Sequence, residues 1–241
     1  MELNICHLYP DLLNVYGDVG NILILKHRAE KRGIKVNVFN ISINDDFNCD
    51  DMDIVFFGGG QDYEQSIVSK DLTENKKDAL STYIEKGKVL IAICGGYQLL
   101  GKYYMAPNGE KLDGLGILNI YTEGGDTRFI GNTIIYNEKY DETYVGFENH
   151  SGRTYINNLE PLGKCINGFG NNGEDGFEGC IYKNTFCTYF HGSLLSKNPE
   201  LADRILKISL EQKYGDIELT PLKDTFELEA KQAILKRYSK K

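Results

Sequence analysis

A strand that runs directly into a cysteine and two glycines constrains this sequence more than any other feature. Residues 89–93 are continuously apolar and mostly β-branched, which is typical of a fully buried strand. Cys94, Gly95 and Gly96 follow, and then a segment with helical spacing. A sharp strand-to-helix turn strains the backbone of its central residue and projects that side chain outward. The pattern therefore predicts a nucleophile at Cys94, at a helix N-terminus where the helix dipole favours the thiolate.

The residues around the cysteine fit such a turn. Small residues are required beside the nucleophile, and Ala92 and Gly96 stand two positions before and after Cys94. The backbone N–H of Gly95 would face a developing oxyanion. The alternative is that Cys94 is a small buried residue followed by a loose Gly-Gly loop. The strong preceding strand, the small residue before it and Gln98 after it favour the nucleophile.

The first hundred residues alternate between short apolar runs and amphipathic stretches. The predicted strands are Leu3–Leu8, Lys35–Phe39, Asp53–Phe57 and Lys88–Ile93. The predicted helices are Asn21–Lys31, Asp71–Lys86 and a helix that begins with Gly95–Leu100. Strands that alternate with helices pair in parallel and carry helices on both faces of the sheet. We therefore expect an α/β fold with a mostly parallel central sheet.

The pattern changes from about Arg128 onwards. Short β-like runs separated by Gly and Asn turns follow at Phe129–Tyr136, Thr143–Phe147, Gly179–Tyr182 and Phe186–Phe190. We interpret them as an antiparallel extension of the same sheet. Two helices are predicted near the end, at Pro199–Lys213 and at about 225–239. No linker-like segment interrupts the sequence, so we expect one domain over 1–241.

Charge and cysteine content exclude several classes of protein. The net charge of −8 argues against nucleic acid as the main partner, because phosphate binding requires a basic face. No apolar run approaches the roughly 18 residues of a membrane helix, and the N-terminus lacks the features of a signal peptide. We expect a cytoplasmic protein without membrane insertion. The six cysteines are scattered, so neither a metal site nor a disulfide framework is predicted.

Several motifs resemble one enzyme family, in order and with suitable spacing, from the N-terminus to about residue 195. They are Leu12–Asn21, Phe57–Asp62, Cys94–Gln98, Leu112–Leu118, Gly146–Thr154 and Tyr189–Gly192. This set resembles the class I, triad-type glutamine amidotransferases, and within them the cobyric-acid-synthase-like branch. The resemblance implies a flavodoxin-like three-layer sandwich. It also implies that Cys94 attacks the side-chain amide of L-glutamine, forms a glutamyl thioester and releases ammonia.

The resemblance assigns further roles. His191 would be the catalytic acid and base, although a lone histidine is more often structural. Gly59 and Gly95 would supply oxyanion donors, and Gly60 would contact the substrate. Gln98 would contact bound glutamine, and Arg128 would bind its α-carboxylate in bidentate fashion. The alternatives are a tight turn for the glycines and solvent-exposed side chains for Gln98 and Arg128.

One position departs from the family pattern. Most class I members have Glu two residues after the catalytic histidine, where this chain has Ser193. Glu148 is a possible substitute within the chain. Our hypothesis is that a carboxylate of a partner subunit completes the triad, which would prevent futile glutamine hydrolysis. His150 is interpreted as structural in preference to a group near the glutamine site, and Asp18 as a helix N-cap.

The chain contains no G-x-x-x-x-G-K-[ST] phosphate loop, so ATP and Mg²⁺ are expected on a partner and no cofactor on this chain. The resemblance is greatest to stand-alone glutaminase subunits. It implies a heterodimer with a Mur-ligase-like synthetase that amidates D-glutamate of lipid II to D-isoglutamine in peptidoglycan synthesis. The alternatives are ammonia supply to another synthetase, such as a corrinoid amidase, a catalytically dead flavodoxin-like binding module, and a cysteine peptidase or deglycase.

Overall fold

The computed structural model describes residues 1–238, which form thirteen strands and six α-helices. The strands are β1 (Glu2–Leu8), β2 (Lys35–Ile41), β3 (Ile54–Phe57), β4 (Val89–Ile93), β5 (Tyr103–Met105), β6 (Lys111–Asp113), β7 (Tyr121–Asn137), β8 (Glu142–Tyr155), β9 (Gly163–Asn167), β10 (Phe177–Glu178), β11 (Cys180–Tyr182), β12 (Thr185–Thr188) and β13 (Phe190–His191). The helices are α1 (Gly20–Glu30), α2 (Asp62–Asp71), α3 (Lys77–Glu85), α4 (Gly95–Leu100), α5 (Pro199–Tyr214) and α6 (Thr225–Tyr238).

The first sheet has the strand order β2-β1-β3-β4-β12-β11. All neighbours pair in parallel except β11, which pairs antiparallel with β12 at the edge. The order of the five parallel strands is that of flavodoxin-like folds. Every residue of β3 and β4 is buried, as expected when helices cover both faces of a parallel sheet. The predicted α/β class with a mostly parallel sheet is confirmed.

The antiparallel strands differ from the sequence prediction. Only β11 extends the first sheet in antiparallel fashion, whereas the long β7–β8 hairpin lies in a second sheet with β5, β6, β9, β10 and β13. The two strands of the hairpin are longer than the short runs that the sequence indicated. Alternating apolar and polar residues show that one face of a strand is buried, but they do not show which other strand it pairs with. The assignment of strands to sheets therefore required the tertiary structure.

The helices lie close to their predicted positions, with one exception. Instead of one helix over Asp71–Lys86, the chain forms α2, a π-helical segment over Leu72–Lys76, and then α3. The prediction missed α2. Helix α5 begins with Pro199 at a position that needs no backbone donor. The C-terminal helix is present up to Tyr238, and residue 239 of the predicted helix lies outside the described residues. Over residues 1–238, no helix is both long and apolar enough to cross a membrane.

A buried arginine ties the first helix to the C-terminal part of the chain. Arg28 of α1 donates to both carboxylate oxygens of Asp203 on α5, at 2.7 Å each, and to Asp224 at 2.6 Å and 3.1 Å. Arg32, two residues after the end of α1, also donates to Asp203 at 2.9 Å and 2.6 Å. Because Arg28 is only 3% exposed, its charge depends on these carboxylates for compensation.

We expect Arg28→Met to lower the free energy of unfolding by about 3 kcal/mol, because it leaves a partly buried carboxylate without its main partner. The matched control is Lys26→Met on the same helix, whose pair with Glu30 is exposed and 3.8 Å long. This control should change the stability by less than about 0.5 kcal/mol. Urea unfolding followed by far-UV circular dichroism measures the free energy of unfolding of both variants. An equal decrease in the two variants would contradict a special contribution of the Arg28 network to stability.

Candidate active site

Cys94 lies at the predicted strand-to-helix turn, in a strained conformation with φ 48° and ψ −101°. It follows β4 and directly precedes α4. Its backbone N–H donates to the carbonyl of Thr188 on β12, at 2.9 Å. The N–H of Gly96 donates to the carbonyl of Gly58 after β3, at 3.1 Å. The turn is therefore held from both neighbouring strands.

The glycine two positions after the nucleophile is required by close packing. A Cβ at Gly96 would lie 2.6 Å from the carbonyl oxygen of Phe57 and 2.9 Å from that of Gly58. Both obstacles are backbone atoms, so neither can move aside without disturbing the end of β3. This contact explains physically why a small residue was predicted at this position.

His191 ends β13 and is fully buried. Its Nδ1 lies 3.1 Å and 3.2 Å from the two carboxylate oxygens of Asp18, whereas its Nε2 has no hydrogen-bond partner within residues 1–238. A Cβ at Gly59 would lie 2.8 Å from Cε1 of His191 and 3.3 Å from Cβ of Cys94. The imidazole and the cysteine therefore flank the same glycine, as the sequence prediction required.

The structure identifies a third group that the sequence analysis missed. Asp18 is fully buried, and Oδ2 of its carboxylate also accepts from the N–H of Gly59 at 3.2 Å. The prediction that Asp18 is an N-cap was wrong, because its side chain faces His191 and Val19 occupies the N-cap position of α1. Asp18 and His191 are 173 positions apart, so no local pattern links them. The only available indication was that Asp18 lies in a family motif.

Glu148 does not take the place of the third group. Its carboxylate accepts from the backbone N–H groups of Phe169 and Gly170, at 2.8 Å and 3.0 Å. It lies 3.8 Å from Nε2 of His150 and makes no hydrogen bond to His191. The suggestion that Glu148 completes the triad was therefore wrong. Since Asp18 already occupies the Nδ1 side of His191, a partner carboxylate is not needed there.

The surroundings of His191 favour its charged form. Burial of the imidazole disfavours protonation, but the negative charges of Cys94 and Asp18 outweigh it and raise the pKa of His191 to about 10. The raised pKa keeps the imidazole protonated at neutral pH, and the Asp18 carboxylate stabilises this form and fixes the orientation of the ring.

The oxyanion donors differ in part from the prediction. The N–H of Gly59 is committed to Asp18, so the prediction of Gly59 as an oxyanion donor was wrong. Gly60 and Gly95 have backbone N–H groups that make no hydrogen bond within the described residues. The nitrogen of Gly60 lies 3.0 Å from the position of a Cβ on Gly95. The N–H of Val15 donates to the carbonyl of Gly59 at 3.1 Å and so fixes the peptide plane that contains the N–H of Gly60.

Cys94 and His191 open into a pocket that Gly60, Gln98 and Arg128 also line. The structure thus brings together most of the predicted site residues. Gln98 is buried, not exposed, and its Nε2 donates to the hydroxyl of Tyr189 at 3.0 Å.

His150 also lines this pocket and stacks on Tyr189, with ring centroids 3.6 Å apart. Its Nδ1 lies 2.8 Å from the carbonyl of Gly152. Burial lowers the pKa of His150, which outweighs the opposing effect of Glu148. The ring is therefore neutral. Its contacts fit the structural interpretation, although its edge faces the pocket.

Arg128 is exposed at the pocket, in the irregular part of β7 between Gly124 and Phe129. Its Nε donates to the side-chain oxygen of Asn149, at 3.0 Å, and Nη2 donates to the backbone carbonyl of Asn149, at 3.1 Å. The amide of Asn149 in turn donates to the hydroxyl of Tyr16 at 2.8 Å. Tyr16 packs edge-on against His191, with ring centroids 4.9 Å apart. Sequence reasoning missed Asn149 and Tyr16, which orient Arg128 and cover the imidazole.

Comparison with known sequences decides the family. Residues 4–199 match the model of the CobB/CobQ-like glutamine amidotransferase domain. The chain belongs to this family. It is 49% identical over 241 residues to the lipid II isoglutaminyl synthase (glutamine-hydrolyzing) subunit GatD of Streptococcus pneumoniae, covering 99% of this chain and 91% of that protein. It is 45% identical over 236 residues to the Staphylococcus aureus GatD subunit, covering 98% of this chain and 96% of that protein. The chain is therefore an amidotransferase, as its sequence predicted.

Two solved structures share the fold of this chain. PurLQS from Thermotoga maritima superposes with a TM-score of 0.58 at 16% identity, covering 88% of this chain and all of that chain. The glutaminase domain of Trypanosoma brucei CTPS, with bound acivicin, superposes with a TM-score of 0.53 at 11% identity. The match covers 90% of this chain and 96% of that chain. At such low identity these matches show the fold alone, and they agree with the strand order described above.

We expect Asp18→Asn to lower the pKa of His191 by about one unit or more, because it removes the negative charge beside Nδ1. In the wild type the imidazolium should persist up to a pH of about 10, and in the variant it should be lost at a lower pH. NMR titration of the histidine ring protons measures this, with His191→Gln used to assign the resonance. An unchanged titration in Asp18→Asn would show that the carboxylate does not hold the charged imidazole.

Proposed function

We propose that this chain is the glutaminase subunit of a lipid II isoglutaminyl synthase. It hydrolyses L-glutamine to L-glutamate and ammonia, and a synthetase partner uses the ammonia to amidate D-glutamate of lipid II. The principal support is the arrangement of a strained Cys94 beside an Asp18-held His191, in a chain similar to two GatD subunits over nearly its whole length.

The first half-reaction follows from the geometry around Cys94. Its thiolate attacks the side-chain amide carbon of glutamine, and the resulting oxyanion faces the free N–H groups of Gly60 and Gly95. The imidazolium of His191 then gives its proton to the departing nitrogen, which leaves as ammonia. The product of this step is a glutamyl thioester on Cys94.

The second half-reaction reverses these roles. Neutral His191 takes a proton from water, and the hydroxide attacks the thioester carbon. The tetrahedral intermediate faces the same two backbone donors. Its collapse expels the Cys94 thiolate and releases L-glutamate, and the thiolate–imidazolium pair is restored. Asp18 orients the imidazole through both steps and stabilises its positive charge.

The rest of the substrate is held by the pocket. Arg128 presents a guanidinium that Asn149 orients, and this planar cation suits the α-carboxylate of free glutamine. Gln98 places a buried amide in the wall of the pocket, where Tyr189 accepts a hydrogen bond from its Nε2. Both roles were implied by the family resemblance, and the pocket brings both side chains to the site of Cys94.

We place the ammonia acceptor on a partner subunit, because the two similar GatD proteins are named as subunits of a synthase. Amidation of a carboxylate requires its activation, which the partner would carry out with ATP. We infer a heterodimer with a Mur-ligase-like, cytoplasmic synthetase that binds ATP, Mg²⁺ and lipid II. Ammonia supply to a corrinoid-type synthetase is the alternative within the same chemistry. The Asp18–His191 pair disfavours a catalytically dead module, because it completes a triad within the chain.

We expect Cys94→Ala to reduce ammonia release from L-glutamine at least about a thousand-fold, because the nucleophile is lost. The wild type, Cys94→Ala and the control Cys49→Ala would be assayed alone and with the synthetase partner. Cys49 does not line the pocket, so its variant should behave like the wild type. Activity in Cys94→Ala would refute the nucleophile, and no hydrolysis by the wild type in either setting would refute the glutaminase.

The same preparation tests the acceptor. With partner, ATP, Mg²⁺ and lipid II, glutamine-dependent formation of D-isoglutamine in the stem peptide is expected and can be followed by mass spectrometry. Ammonia release without amidation of lipid II in this assay would favour a different synthetase.

We expect Arg128→Lys to raise the KM for glutamine about tenfold or more while kcat changes less than about threefold. Lysine retains the charge but loses the planar, bidentate geometry that suits a carboxylate. The control is Arg204→Lys, because Arg204 makes a bidentate pair with Glu142, at 2.6 Å and 2.9 Å, away from the pocket. Steady-state kinetics with the partner present separate the two constants, and a loss confined to kcat would argue against carboxylate binding by Arg128.

A further inference from the structure

Three acceptor atoms in the walls of the active-site pocket have no hydrogen-bond partner within the described residues. They are Oε2 of Glu64, Oε1 of Gln65 and Oε1 of Gln98, and each of these atoms is shielded from solvent. All three residues line the pocket that contains Cys94. Gln65 and Gln98 are only 2% and 3% exposed. Buried acceptors without donors are unfavourable, so this pocket is suited to a ligand that brings several N–H groups.

Glu64 differs from the two amides because it brings a negative charge. A shielded carboxylate oxygen without a donor is especially unfavourable, and the best compensation is a cation that also donates hydrogen bonds. Within the described residues, no cationic side chain of the pocket pairs with Glu64. Arg128 donates to Asn149, His191 pairs with Asp18, and burial lowers the pKa of His150. A ligand with a cationic N–H donor would supply this partner.

Asp62 carries the second carboxylate of the pocket, and unlike Glu64 it has a hydrogen-bond donor within residues 1–238. Asp62 and Glu64 both lie in the first turn of α2, directly after the Gly58–Gly60 loop. Asp62, however, accepts a hydrogen bond from the hydroxyl of Tyr104 at 3.0 Å and is exposed. The two acidic residues thus have the same position relative to the helix dipole but differ in whether a protein donor satisfies them.

We propose that the carboxylate of Glu64 binds the α-ammonium group of the substrate, so that the pocket selects free L-glutamine. This inference rests on the proposed glutaminase function. Arg128 from β7 then pairs with the α-carboxylate of glutamine, and Glu64 from α2 pairs with the α-ammonium group on the same carbon. Glutamine whose α-nitrogen is acylated, as within a peptide, has lost the charge and two of the three donors, and is excluded.

The test combines one substitution with a change of substrate. L-Glutamine would be compared with 4-carbamoylbutanoate, which has the same amide and carboxylate but no amino group, and with N-acetyl-L-glutamine. The assay uses the chain with its synthetase partner. Glu64→Gln should lower kcat/KM for L-glutamine about 10- to 100-fold, mostly through KM, because it removes a charge-assisted hydrogen bond. For 4-carbamoylbutanoate the same variant should change kcat/KM less than about threefold.

Asp62→Asn is the matched control, because it removes a charge from the same helical turn. It should retain the wild-type preference for L-glutamine over 4-carbamoylbutanoate, whereas Glu64→Gln should largely lose it. A second measurement does not depend on turnover: L-glutamate should protect Cys94 from iodoacetamide in the wild type, and Glu64→Gln should require about 10- to 100-fold more L-glutamate. Protection by glutarate should be the same in both. Thermal unfolding confirms that each variant folds.

The outcomes separate the two proposals. If the wild type hydrolyses L-glutamine and Glu64→Gln keeps the full preference for the amino group, the assignment of Glu64 is wrong while the glutaminase stands. The same holds if Asp62→Asn abolishes the preference instead. If the wild type neither hydrolyses L-glutamine nor is protected by L-glutamate, the proposed function fails and this inference fails with it.

Discussion

The strained turn at Cys94 is the constraint on which the rest of the site depends. A residue with φ of 48° is held in place only if its surroundings leave it no alternative. Here the neighbouring strands supply that restraint, through hydrogen bonds from Cys94 to Thr188 and from Gly96 to Gly58. Cys94 is thereby held at the N-terminus of α4, close to the Gly60 and Gly95 N–H groups that make no hydrogen bond within the described residues.

The strand order explains how distant segments reach this turn. In a parallel sheet the carboxyl ends of all strands meet at one edge, where ligand sites of such folds form. Asp18 follows β1, the Gly58–Gly60 loop follows β3, Cys94 follows β4 and His191 follows β12. The second sheet contributes Arg128 from β7 to the wall of the pocket that contains Cys94. Cys94 and Asp18 thus lie at the carboxyl edge of the first sheet, and His191 meets them from β13 of the second sheet.

Two buried histidines in this pocket show how the surroundings determine charge. His150 has a lowered pKa because burial dominates, whereas Cys94 and Asp18 raise the pKa of His191 despite similar burial. The neutral ring stacks on Tyr189 and serves packing. The difference arises because Asp18 and Cys94 together outweigh burial at His191, whereas Glu148 offsets burial only in part at His150.

The sequence by itself determined the α/β class, the positions of the first strands and the strand-to-helix turn at Cys94. These depend on local patterns: an apolar β-branched run, two glycines and helical spacing around residues 89–98. It also indicated His191 and Gln98, because each lies in a family motif, and Arg128, whose role the family resemblance implied. Only the tertiary structure decided that Asp18 holds His191, that Gly60 replaces Gly59 as a donor, and that the β7–β8 hairpin forms a second sheet. The first and the third depend on contacts between residues that lie far apart in the sequence. The second depends on which single acceptor the N–H of Gly59 reaches. Neither kind of contact produces a periodic pattern in the sequence.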